Sequence, residues 1–394
     1  MTTLGVGIVG MGFMGTQHAQ SYLAAARDGM ALRVVALCDP DPARCVLPEL
    51  DAPKGAANAG ALPEPGVDRE LGDIDRAPHV FSEARDIDLA PRVFSEPAAL
   101  FADPRVELVS VCTYTESHVP LAIAALAAGK HVVVEKPVAL DPDSVQRLVD
   151  AARAHPGQLC MPAMCMRFWP GWDHLAACVA DGRHGAVRSA RLHRSGPRPD
   201  WADAFYGDPA RSGGALVDLH IHDADFVRWC FGVPAALSCS GTRDAPSTRY
   251  EFLPASAPDA RAHPATRAAE AVRAGLSQPL AVSTEAAWLD DPEAAFDMGF
   301  EVEFERATLR YRLADDAPSS ERRSGDTAFR ALPVSSLSGY DGELRHALRC
   351  VEALRRDPAA LDSAALLHEA ADLARMLRVE AESLSSGGDT CSLD

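Results

Sequence analysis

The first segment able to do chemistry is GMGFMG at residues 10–15, with glycines at 10, 12 and 15. It follows the apolar run 6–9 and opens a stretch of helical character at 14–27. In that setting each glycine has a separate task. Gly10 makes a tight turn, Gly12 lets backbone approach a pyrophosphate, and Gly15 lets a helix pack close to a strand. The helix start directs N–H groups and the positive end of its dipole at phosphate. Phe13 and Met14 therefore join Gly10, Gly12 and Gly15 as candidate contacts. Asp39 closes the next apolar run, 33–38. A carboxylate there accepts from both ribose hydroxyls of NAD and repels a 2′-phosphate. The pattern points to a nicotinamide dinucleotide, NAD rather than NADP, with Arg44 close enough to soften that preference.

These residues need a strand–helix–strand unit of about 30 residues, the size of a parallel crossover. The chain then alternates. Strands are expected at 92–94, 106–112, 131–137 and 158–167. Helices are expected after Ser95 (as N-cap, with Pro97 in the first turn), at 118–128 ending on Gly129, and at 141–157. This alternation predicts a Rossmann-type α/β domain with a doubly wound parallel sheet over residues 1–166. Residues 46–92 interrupt it with a Pro-, Gly- and Ala-rich insertion. Across its end runs a tandem repeat, DIDRAPHVFSEAR (73–85) followed by DIDLAPRVFSEPA (86–98), identical at nine of thirteen positions. From 167 to 394 the texture changes. Strands at 186–195, 280–288, 297–305 and 307–312, one buried helix over 213–232 and a helical region at 343–384 predict an α+β domain with a large, mostly antiparallel open sheet. Residues 385–394 read as a frayed tail.

Composition excludes several roles. Thirty-eight Lys and Arg stand against 56 Asp and Glu, a net charge of −18, which repels nucleic acid and anionic lipid. No secretory leader or membrane-spanning run is read from the sequence, and the expected location is cytoplasmic. The ten cysteines are scattered without a C-x-x-C pair, against a zinc site or a disulfide framework.

Three further segments carry a resemblance: CTYTESH (112–118), Glu135–Lys136–Pro137, and GGALVDLHIHDAD (213–225). With the glycine turn, and in this order, they make the chain similar to the Gfo/Idh/MocA oxidoreductases, a family that includes glucose–fructose oxidoreductase and inositol dehydrogenases. The resemblance implies a Rossmann domain followed by an open-sheet domain, with homo-oligomers (dimer or tetramer) formed through that sheet. It implies that Lys136, Asp218 and His222 face the nicotinamide, and that Thr113, Tyr114, His118 and Glu135 lie around it. It implies hydride transfer between the cofactor and a secondary alcohol carbon of a sugar, cyclitol or related polyol. Residue chemistry agrees. Alcohol oxidation needs a base and a cation to steady the developing alkoxide, and Asp218 and His222, four apart, would share one helix face. Tyr114 stands where family members often carry proline.

His220 and Asp223 crowd the same segment, but helical spacing turns His220 away from His222, so no metal site is expected. Arg167, Trp169, Trp201, Tyr206 and Arg211 are candidate substrate contacts. An arginine cluster (Arg183, Arg188, Arg191, Arg194, Arg198, Arg211) is mostly solvent-facing strand, with one or two members available to a substrate carboxylate or phosphate. Two relatives' activities remain as alternatives: glycoside cleavage with transient use of bound NAD, and non-catalytic ligand sensing.

Overall fold

The computed structural model describes residues 3–49, 90–200, 202–254 and 279–393. Most of the 46–92 insertion, the first copy of the repeat and Trp201 lie outside the described residues.

A six-stranded parallel sheet is built from β1 (Leu4–Val9), β2 (Leu32–Cys38), β3 (Arg92–Phe94), β4 (Leu108–Val111), β5 (His131–Val134) and β6 (Cys160–Pro162), in the order β3-β2-β1-β4-β5-β6. Helices α1 (Phe13–Arg27), α2 (Pro97–Ala102), α3 (Thr115–Ala127) and α4 (Pro142–Ala154) connect the strands. Every residue of β1 is buried, as a central strand covered on both faces requires. The strand order reverses between β1 and β4, and ligands in such sheets sit outside the strand ends at that point.

The doubly wound α/β fold is as expected, but several boundaries move. β5 stops at Val134 rather than running to 137. The N–H of Lys136 turns to the Glu135 carboxylate, and Pro137 has none to give. Of 158–167 only β6, an edge strand, stays extended, and Cys165–Phe168 winds into a 3-10 turn. Glu96, not Ser95, is the residue before α2, with Pro97 in its first turn. Helix α3 starts at Thr115, ahead of the expected 118.

The second sheet has nine strands: β7 (Val187–Pro197), β8 (Ala236–Thr242), β9 (Ala245–Phe252), β10 (Leu280–Leu289), β11 (Asp297–Phe304), β12 (Ala307–Arg312), β13 (Ser319–Arg323), β14 (Arg330–Ala331) and β15 (Cys391–Ser392). They lie in the order β14-β13-β12-β11-β7-β10-β9-β8-β15. All pairs are antiparallel except β7 with β10, so the mostly antiparallel expectation holds. Burial alternates along β9, the mark of a sheet with one face covered. Helices α5 (Trp172–Asp181), α6 (Asp203–Tyr206), α7 (Pro209–Ser212), α8 (Ala215–Asp218) and α9 (Ile221–Phe231) precede β8.

The helix expected over 213–232 is thus two helices, α8 and α9. The carbonyl of Asp218 accepts from Lys136 Nζ at 2.8 Å instead of from a helical N–H, and the amide of His222 reaches only Leu219 O at 3.5 Å. The region expected as helical at 343–384 is also two helices, α10 (Gly339–Arg356) and α11 (Ser363–Ser385). Asp357 is extended, Pro358 cannot continue a helix, and Asp362 caps α11 by accepting from the amides of Ala364 and Ala365. Although late in sequence, α10 packs Leu344, Ala347 and Val351 with Tyr22 and Ala25 of α1. Helix α11 buries Leu367 and Ala370 with Val145 and Leu148 of α4, then Met376 and Val379 against the nine-stranded sheet.

The tail is not frayed. β15 pairs with β8, and Leu393 is 7% exposed within the second core. Truncation after Ser386 should therefore lower the unfolding free energy by about 2–3 kcal/mol, the worth of one buried leucine with its strand. Urea denaturation with an unchanged midpoint would show that the tail contributes nothing.

Candidate active site

The strand ends at the switch point open into a cleft of about 890 Å³. Gly10, Gly12, Phe13, Met14, Asp39, Thr113, Tyr114, His118, Glu135, Lys136, Trp169, Asp218 and His222 all line it. Gly15 sits just behind, and Arg167 and Arg211 are not among the lining residues.

The three glycines are distinct in space as well as in sequence. Gly10 has φ +86°, and a Cβ there would lie 2.6 Å from the carbonyl oxygen of Cys112. A Cβ on Gly15 would come within 1.9 Å of the Gly10 carbonyl oxygen, so helix and turn touch through backbone. A Cβ on Gly12 would meet nothing within 4 Å among the described residues. Gly12 is the N-cap of α1, with no side chain capping it, and it faces the cleft. A dinucleotide pyrophosphate fits that cradle. Asp39, 8% exposed, accepts the Met11 amide at 2.9 Å on Oδ2 and the Asp41 amide at 2.9 Å on Oδ1. Each oxygen keeps further acceptor capacity for a ribose hydroxyl. Arg44 lies 3.8 Å from Asp41 at the same end.

His118 is buried, its Nδ1 2.8 Å from Pro137 O and its Nε2 2.9 Å from Thr113 O. It ties the turn after β4 to the turn after β5, and burial holds its pKa below the usual value. Tyr114 is half exposed. Its ring lies 4.8 Å from that of Phe205, with the Arg211 guanidinium 5.4 Å from the Tyr114 centroid. Arg211 also pairs with Glu116. In place of a proline, this position therefore forms an aromatic–cation contact across the cleft mouth.

Where the turn after β5 meets the end of α8, Lys136 Nζ donates to Asp218 O at 2.8 Å and Asp218 Oδ1 at 3.0 Å. Of its three N–H groups one is left over. His222 lines the same wall from α9. Its buried Nδ1 has no hydrogen-bond partner among the described residues, and burial, then the charges of Lys136 and Arg194, push its pKa well below 6.5. Asp218 and His222 do not share a helix, because of the break after Asp218, yet both reach the cleft. His220 turns the other way, as its spacing implies, 2.8 Å from Glu380.

Beyond these groups the cleft is aromatic: Trp169, Tyr206, Trp288, Phe296 and Tyr340, with Met298. Trp169 and Tyr206 are candidates in sequence, whereas Trp288 and Met298 on β10 and β11, Phe296 just before β11 and Tyr340 on α10 come from segments far apart in sequence that only the fold brings together. Trp169 is further fixed by donating to Tyr311 OH at 3.1 Å. Arg167 is placed elsewhere. Asp225 holds it at 2.6 and 2.8 Å and Glu369 at 2.6 Å, so it staples α9 to α11. Of the arginine cluster, Arg194 alone lines the cleft. Asp223 takes its Nη2 at 3.0 Å and Nε at 3.3 Å, while among the described residues Nη1 meets only the weak acceptor Met298 Sδ at 3.2 Å. Arg183 and Arg188 pair with Asp181 and Glu305 at the surface.

The glycines give a test that separates folding from binding. Gly12→Ala should leave the melting temperature unchanged and weaken dinucleotide binding, while Gly15→Ala should destabilise the fold itself. Dinucleotide titration and thermal melts of both variants measure this. Equal melting losses would remove the distinction.

Comparison with known proteins agrees with this architecture. Residues 72–162 match a model described as an oxidoreductase family with an NAD-binding Rossmann fold, and residues 172–309 match the GFO/IDH/MocA C-terminal domain. The glycine turn precedes the first match and stands on its geometry. The chain is 27% identical to an inositol 2-dehydrogenase of Ralstonia nicotianae over 58% of this chain and 55% of that one. It is 33% identical to a D-glucoside 3-dehydrogenase of Escherichia coli over 34% and 38% of the two chains. These matches span a third to about half the length of the curated relatives. A levoglucosan dehydrogenase solved with NADH and levoglucosan shares the fold at TM-score 0.71 and 16% identity over the whole of both chains. Two matched domains covering more than half of the sequence, the strand order of the first sheet and the nine-stranded second sheet place this chain in the Gfo/Idh/MocA family of oxidoreductases.

Proposed function

We propose that this protein is an NAD-dependent dehydrogenase acting on a secondary alcohol of a neutral sugar, cyclitol or related polyol. The observation that carries the reading is the convergence of Lys136, Asp218 and His222 on a cleft that begins at the glycine turn. The nicotinamide supplies the hydride acceptor when the cofactor is bound. Gly12 leaves room for the pyrophosphate, and Asp39 takes the ribose hydroxyls and disfavours a 2′-phosphate. His222, neutral at physiological pH, takes the hydroxyl proton. The third N–H of Lys136 steadies the oxygen as charge develops on it. Asp218 holds Lys136 in place. The aromatic walls shield the site and offer flat faces to a ring.

Arg194 supports a neutral substrate. Its charge is already matched by Asp223, so Nη1 can donate to a hydroxyl or ring oxygen without calling for an anion. A homo-oligomer assembled through the open sheet, and a cytoplasmic setting suited to ten free thiols, belong to the same proposal.

A panel of neutral sugars and polyols with NAD, read as NADH absorbance, tests the function. Net NADH formation separates it from glycoside cleavage, which regenerates its cofactor. On a substrate found this way, His222→Ala should lower kcat by about 10²–10⁴ while NAD affinity stays near normal. Lys136→Met should be at least as severe and Asp218→Asn milder. Normal turnover in both of the first two variants would exclude the mechanism. Because the active form of His222 is the base and its pKa is lowered, activity should be lost only as pH falls below 6.5. A neutral sugar should show a higher kcat/KM than its uronate, and the reverse order would assign Arg194 to an anion.

A further inference from the structure

Behind the Glu135–Lys136 turn lies a buried polar chain that the proposed chemistry does not use. Tyr22 OH is 2.9 Å from Ser110 Oγ, Ser110 Oγ is 3.1 Å from His18 Nδ1, and His18 Nε2 is 2.9 Å from Glu135 Oε1. The other oxygen of Glu135 accepts the backbone N–H of Lys136 at 3.0 Å. Glu343 enters the same space from α10, with a carboxylate oxygen within 4.8 Å of both His18 and Glu135. Its relative exposure is 0%, and neither of its oxygens has a hydrogen-bond partner among the described residues.

The chain can be read in one direction. Tyr22 donates to Ser110, Ser110 to His18, His18 to Glu135, and Lys136 N–H to Glu135 as well. Glu135 is the terminal acceptor, and each of these donors has its acceptor. An ionised Glu343 would face this acceptor with no donor of its own, and a buried charge is tolerated only when paired. A single added hydrogen between the two carboxyl groups removes the conflict. We propose that Glu343 is a neutral carboxylic acid at physiological pH, donating its proton to Glu135 and acting as a positioning residue for Lys136.

The surroundings agree. Burial, reinforced by the Glu135 charge, pushes the Glu343 carboxyl well above the usual carboxylate range. Tyr22 on α1, Cys112 after β4, Cys165 in the 3-10 turn and Tyr340 on α10 feel the same carboxyl groups, and burial raises the pKa of each, so they stay neutral. The charges facing Glu343 are then those of the Glu135–Lys136 turn, and His18 faces it as the hydrogen-bond donor to Glu135. A divalent cation held by His18, Glu135 and Glu343 is the competing occupant. The 2.9 Å between His18 and Glu135 is a hydrogen-bond distance, whereas two ligands of a tetrahedral ion at usual bond lengths sit roughly 3.4 Å apart.

The catalytic consequence rests on the role proposed for Lys136, but the protonation state does not. The wild-type protein, with and without NAD, is examined by infrared difference spectroscopy in D2O beside Glu343→Gln and Glu343→Met. A protonated-carboxyl band present in wild type and lost in both variants is expected, with no stoichiometric metal by elemental analysis. Absence of the band, or a divalent ion lost with Glu343→Gln, overturns the proposal without reference to any substrate. Since the folded pKa is raised, the stabilisation is present at low pH and lost as pH rises through that value. Thermal melts of wild type should therefore fall off more steeply than those of Glu343→Gln as pH rises above the usual carboxylate range. For positioning, Glu343→Gln keeps a donor and should keep kcat, while Glu343→Met should lower kcat about tenfold or more at unchanged NAD affinity. A folded Glu343→Met with normal kcat overturns the positioning role.

Discussion

The ammonium of Lys136 reaches from the end of β5 to the carbonyl and carboxylate of Asp218, and much of the molecule is arranged around that contact. It joins the parallel sheet to the second domain inside the cleft that both of them line. It takes the carbonyl that would have continued α8, so the chain breaks and restarts as α9, and His222 is delivered from a new helix. The lysine also depends on what lies behind it. His118 ties the turn after β4 to the turn after β5, and the Glu135 carboxylate holds the Lys136 amide.

Close backbone approach is the second constraint. Gly10 and Gly15 allow strand, turn and α1 to meet with no side chain between them, and this fixes where the helix start points. Gly12 serves the opposite need, leaving empty space on the cleft side. Two glycines are thus required by packing while the third leaves the cleft side open, the division of tasks expected from their positions in sequence.

Buried charge is distributed by the same logic. Arg167 is a candidate substrate contact in sequence, yet it and Arg228 are both spent on carboxylates that bind α9 to α11, Arg167 on Asp225 and Glu369 and Arg228 on Asp372 and Glu369. Removing one partner of such a pair strands the other, which makes them structural before anything else. Arg194 is intermediate, neutralised by Asp223 but still bordering the cleft. The long helix α11 couples these pairs to both sheets, so the late part of the chain braces the early part.

The sequence by itself determined the local pieces. Gly10, Gly12 and Gly15 after an apolar run, Asp39 at the end of the next, and the spacing of later strands and helices were legible because short-range patterns depend on backbone sterics and on one buried face. Family motifs likewise located Lys136, Asp218 and His222. Tertiary structure decided what those patterns leave open. It ended β5 at Val134, split the helix at Asp218, drew β15 out of an apparent tail, removed Arg167 from the cleft and brought Trp288, Phe296 and Tyr340 into it. Each depends on partners far away in sequence: a lysine competing for a carbonyl, a carboxylate claiming a guanidinium, a neighbouring strand fixing which side chains face inward. A residue's own chemistry says what it can bond to, and only the folded chain settles which partner arrives first.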